Sequence, residues 1–203
     1  MKYYVKQAVL PFLYLLFTAM TASCIMLIGD NLLWLKIILS VLNVGLYAMV
    51  IGMTSFKDGE QAVRVQVAND LERKIIVRTG ENRPLKLKEE YKPYKGFLIG
   101  FISCVPLIVL LILHTIFYFA TGYTGLGGIS ALIYLMFFVF FKLKNGDVSS
   151  TTGSEWYSFY GALIAIPVIM LITGVAYILG AKKTIRQQEM IKAKQREIYG
   201  EEN

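Results

Sequence analysis

Charge is missing from long stretches of this sequence. Asp, Glu, Lys and Arg are absent from residues 7–29, 37–56, 96–141 and 156–181, while the segments between them are crowded with charge. A chain folding in water spreads its charged residues over its surface, so this segregation excludes an ordinary globular domain and points to lipid as the solvent for the apolar runs. Histidine occurs once and cysteine twice. That scarcity excludes a zinc site of clustered ligands and a disulfide framework, and Cys24 and Cys104, each inside an apolar run, read as small packing residues. HExxH, paired intramembrane aspartates and a phosphate-cradling glycine loop are all missing, which leaves no catalytic, metal or cofactor motif.

What is present is hydrophobicity: 56% apolar residues and a mean hydropathy of +0.54. The run 7–29 has 23 residues and 37–56 has 20, each close to the roughly 20 that cross about 30 Å of hydrocarbon as a helix. Between them Gly29, Asp30 and Asn31 supply a turn, with Trp34 and Lys36 as an interfacial anchor, so the pair reads as a tight helical hairpin. Pro11 is placed in the first turn or two of its helix, where a proline is tolerated. Thr21-Ala22-Ser23-Cys24 faintly echoes a lipoprotein cleavage site, but the apolar run continues through Ile28, and an uncleaved anchor explains more.

The 46 residues of 96–141 are broken by the glycine-rich 121–128 into unequal parts. Residues 97–120 span easily. Residues 129–141 number only 13, about 20 Å as a helix, and fall short. The last run, 156–181, has 26 residues and spans with room to tilt.

Basic residues decide the count of crossings. Two Lys precede the first span, one lies in the hairpin, ten lie in 57–95, two at Lys142 and Lys144, and six after Gly180. Five crossings would leave 14 of the 21 inside and 7 outside, whereas four leave 18 inside and 3 outside. The fold expected is therefore an all-α integral membrane protein. It is a four-span transmembrane helical bundle with spans near 8–29, 36–56, 97–120 and 156–181, both termini cytoplasmic, most naturally in the plasma membrane. Segment 129–141, apolar on every face, becomes an extra short re-entrant or half-buried helix on the opposite side.

Within the spans, Gly96, Gly100, Ser103 and His114 fall within about 60° of one another on a helical wheel, and Gly161 with Ala165 repeats a small-xxx-small spacing. Asn43, near the middle of its span, needs a partner across a helix interface and reads as interhelical glue before a substrate contact. Pro106 and Pro167 are expected to kink their helices. These are helix-packing positions, not catalytic ones. Ser103 and His114 are 11 residues apart on one helix, about 16 Å, too far for a nucleophile and its base.

The largest water-exposed element, 57–95, carries 10 basic and 7 acidic side chains and is too short for a core of its own. Val63, Val67, Leu71 and Ile75 predict a helix over 61–75, although Val63-x-Val65-x-Val67 also fits a strand. Tyr91, Lys92, Tyr94 and Lys95 mark the interface before the third span. Residues 182–199 have the composition of a charged helix, with Ile185, Ile191 and Ile198 sparsely placed along it, and 145–155 is linker-like.

The net charge of +7 sits beside the spans, which favours anionic headgroups as partners and argues against nucleic acid. Ion-coupled transport is disfavoured because no charged residue lies in a span core. The function expected is that of a non-enzymatic accessory subunit or scaffold, with another membrane protein or a second copy as partner. The alternatives are a small transporter or channel for a neutral or lipid-like solute and, further off, an intramembrane hydrolase built on His114 with Ser23.

Overall fold

The computed structural model describes residues 2–26, 28, 30–80, 90–121 and 155–199. Among these the chain is all-helical: α1 (Lys2–Met26), a short 3-10 turn (Asp30–Leu32), α2 (Leu33–Thr79), α3 (Lys95–Thr121) and α4 (Glu155–Tyr199). Three helices contain stretches long and apolar enough to cross a membrane: Tyr4–Ala22, Leu33–Thr79 and Ile166–Ile198. The short apolar segment 129–141 lies outside the described residues.

Two helices are longer than their apolar runs require. α2 has 47 residues and α4 has 45, about 70 Å each along the axis, more than twice the hydrocarbon thickness. The separate helix expected at 61–75 is instead the continuation of α2, and the valine alternation at 63–67 makes no strand. A running helix adds each further residue without a new nucleation cost, so local β preference loses. α2 stops where Gly80 adopts φ +70° and returns its N–H to the Ile76 carbonyl at 2.9 Å, a C-terminal cap suited to glycine. Pro11 also differs from expectation. Because α1 starts at Lys2, the proline sits in the third turn, inside the helix, as Pro106 and Pro167 do in theirs.

The chain forms two compact units. The first comprises Met1–Ile51 and Leu98–Ile172. Its core draws on all four helices: Leu15 from α1, Tyr47 and Ile51 from α2, Cys104 from α3 and Ile169 from α4, with Phe12, Val44, Ile108 and Ile166 packed against them. The outward faces are apolar too, with Phe17 62% and Leu46 60% exposed, while Thr18, Ser40, Asn43 and Ser103 are buried. Polar residues inside and large hydrophobics outside is the pattern of a bundle whose surroundings are hydrocarbon, held together by close packing and interhelical hydrogen bonds. Lys36 belongs inside as well. At 5% exposed it is buried, and its carbonyl accepts a bond from Ser40 Oγ at 2.7 Å, so of the expected anchor only Trp34 faces outward.

The second unit comprises Gly52–Phe97 and Thr173–Asn203. Glycines let its helices touch backbone to backbone. A β-carbon on Gly59 would lie 2.0 Å from the Tyr177 carbonyl oxygen, and one on Gly180 would lie 2.0 Å from the Phe56 carbonyl oxygen. At the start of α3 a β-carbon on Gly96 would meet the Tyr177 Cβ at 2.6 Å and the Gly174 Cα at 3.0 Å. Ala62, Val63 and Ala181 fill the remaining interior. Where side chains this small line two helices, the axes approach closely and dispersion contacts multiply.

Candidate functional site

Asn43 is the polar centre of the first unit. Its buried amide donates to the Thr18 carbonyl at 2.8 Å, and its Oδ1 accepts from Thr21 Oγ1 at 2.7 Å, so one side chain ties α2 to two turns of α1. Thr18 Oγ1 in turn donates to the carbonyls of Tyr14 and Leu15, at 3.0 and 2.9 Å. Each of these hydroxyls has an acceptor within the pair of helices. The arrangement is a clamp and leaves no hydroxyl directed at a ligand.

Of the other positions singled out in the sequence, Gly96, Gly100 and Ser103 are all buried on α3. Ser103 Oγ donates to the Gly100 carbonyl at 2.7 Å, on its own helix, so its proton is already engaged. His114 lies on α3, and Gly161 and Ala165 on α4, but their side-chain surroundings fall outside the described residues. No three His, Cys, Asp or Glu side chains gather into a possible metal site among the described residues.

The second unit holds a polar cluster that the sequence did not single out. Asn69, 1% exposed, donates from Nδ2 to Glu90 Oε1 at 3.0 Å. Arg73 donates to the same Glu90 oxygen and to Asp70 Oδ1, the latter at 3.0 Å. Glu90 stands just before α3, so the cluster fastens the α3 entry to the far part of α2. Further along, Lys183 of α4 pairs with Glu60 of α2 at 2.9 Å and lies 5.2 Å from the centre of the Phe56 ring. Tyr91 stacks on Tyr177 with ring centroids 5.7 Å apart. Asp58, two residues past the apolar run of α2 and half-buried, has its carboxyl pushed up to about 6 by burial.

Sequence reasoning missed three features here. Tyr47 and Tyr177, each 1% exposed, are packing hubs that look like any aromatic in an apolar run. Gly59 and Gly180 carried a usable signal, since Ser55-x3-Gly59 and Gly180-x3-Thr184 repeat the small-xxx-small spacing noted elsewhere. Asn69 carried none, because its acceptor lies 21 residues away.

Beyond this unit's interior, the ends of α2 and α4 expose large apolar side chains among charges: Leu71, Ile75 and Val77 on α2, and Met190, Ile191 and Ile198 on α4. Chemically, the sites described offer close helix contact, ion pairing and an uncovered apolar surface, with no nucleophile held against a base. Comparison of the chain with family profiles, with curated proteins and with solved structures finds no match.

Proposed function

We propose that this chain is a four-span membrane protein with both ends in the cytoplasm, acting as a non-enzymatic accessory subunit or scaffold of a membrane complex. The observation that carries the reading is the second unit: α2 and α4 continue well past their apolar runs and pack into a folded, charged body that exposes large apolar side chains. Apolar surface in water is a mark of protein association.

The directions of the helices support four crossings. α2 and α4 each begin in the first unit and end in the second, whereas α3 begins in the second and ends in the first. By the positive-inside rule, four crossings are favoured because they keep the basic residues of 57–95 and of the tail on one side.

Extraction in mild detergent followed by affinity purification tests the function. A stoichiometric protein partner is the expected result. Recovery of a lone monomer carrying lipid or a neutral solute would replace this reading with a small transporter.

A further inference from the structure

The buried face of α4 does not end where its cover ends. Within the second unit Thr173, Tyr177, Gly180, Ala181 and Thr184 are buried. Continuing at the same helical spacing, Gln188, Ile191, Gln195 and Ile198 fall with Thr184 inside about 80° of arc, an uncharged stripe four turns long. Ile191 is 56% exposed and Ile198 71% exposed, so nothing in the chain's described residues covers it.

The charges around the stripe are ordered. Lys192 stands about 40° beyond one edge and Lys194 about 40° beyond the other, with Arg196 further round on the Lys192 side. Within 184–198 the two acidic residues, Glu189 and Glu197, both sit about 140° from the centre, on the back of the helix beside Arg186. An uncharged seam in which glutamine alternates with isoleucine, with basic flanks on both sides, is complementary to a helix with an apolar seam and acidic flanks. A second copy of the tail would set lysine against lysine, which disfavours self-pairing. Lipid is disfavoured by reach: Ile191 and Ile198 lie about 14 and 24 Å along the axis from Lys182, where the apolar run has ended.

From this continuity and charge order we infer that the α4 tail, centred on Ile191 and Ile198, is the docking seam for an acidic amphipathic helix of a partner protein. The inference rests on the four-span reading with a cytoplasmic tail and names the partner's chemistry.

The test uses the full-length protein in detergent and a fluorescent three-heptad peptide with Leu at the seam positions and Glu at the flanking ones. Its control has Lys in place of every Glu. The acidic peptide should bind at least about tenfold more tightly than the basic one, and weaken as salt rises. Ile191→Asp with Ile198→Asp should cost at least about tenfold, and Lys192→Glu with Lys194→Glu should reverse the preference between peptides. Absence of binding, equal binding of both peptides, or indifference to the isoleucine changes would overturn the inference. So would disulfide-linked dimers of an Ile198→Cys variant, which assign the seam to a second copy. Affinity purification separates the two levels: a partner retained by the Ile191→Asp, Ile198→Asp variant removes the seam alone, while no partner on the unmodified protein removes the accessory-subunit reading.

Discussion

Gly180 of α4 lies directly against the backbone of Phe56 in α2, so close that a β-carbon at position 180 would stand 2.0 Å from the Phe56 carbonyl oxygen. The neighbouring Gly59 is held in the same way against the Tyr177 carbonyl. Backbone cannot turn aside as a side chain can, so the helices must separate to admit even a methyl group. Gly180→Ala and Gly59→Ala should each destabilise the protein by about 1–3 kcal/mol. Gly45→Ala and Gly52→Ala, which meet nothing within 4 Å, should be neutral or stabilising by up to about 1 kcal/mol. Chemical unfolding in detergent followed by circular dichroism reads the difference.

Asn43 makes both of its bonds to α1. Asn43→Leu removes the pair and leaves the Thr21 hydroxyl with only its bond to the Thr18 carbonyl on its own helix, at 2.9 Å, a loss of about 1–2 kcal/mol in the same unfolding assay. Thr21→Val removes the bond to Oδ1 together with the hydroxyl's bond to the Thr18 carbonyl on its own helix, keeps the amide–carbonyl bond between the helices, and should cost less than Asn43→Leu. Equal effects would mean that the amide–carbonyl bond contributes nothing.

Burial lifts the Asp58 carboxyl to about 6, against about 3.9 in an unfolded chain. Between these values the folded protein holds a proton that the unfolded chain has released. Its contribution is therefore fully present below pH 4 and is lost as pH rises through 6. Asp58→Asn should flatten this part of the stability profile and raise stability above pH 6, measured by unfolding midpoints from pH 4 to 8.

Glu90 accepts from both Asn69 and Arg73, so removing either donor alone leaves the other in place. A double-mutant cycle on Arg73→Ala and Glu90→Ala should return a coupling of about 0.5–1 kcal/mol, because the pair is partly exposed to solvent. The coupling should shrink in high salt. A value unchanged by salt would show that packing, not charge, joins these residues.

The helices were legible because a stretch that lacks charge must satisfy its own backbone wherever hydrocarbon surrounds it, and each of α1 to α4 takes in much or part of one such run. Their lengths were not. The spacing of Val63, Val67, Leu71 and Ile75 marks a helix over 61–75, but nothing in 57–60 announces that it joins the preceding span as one helix running to Thr79. Asn43 could be marked as needing a partner from its place among apolar residues, but naming Thr18 and Thr21 requires the antiparallel register of α1 and α2. The Glu90 cluster was invisible for the same reason. Hydrogen-bond partners 21 residues apart leave no periodic trace, whereas lipid exposure does.

The proposal of four spans with both ends in the cytoplasm has α2 and α4 crossing in the same direction and the charged second unit inside the cell. Single cysteines at Lys144 and at Glu201, in a Cys24→Ala, Cys104→Ala background, test it with a membrane-impermeant thiol reagent applied to intact cells. Labelling at 144 and protection at 201 until the membrane is opened is the expected result. Labelling of 201 in intact cells, with 144 protected, would make the spans five and reverse the direction of α4.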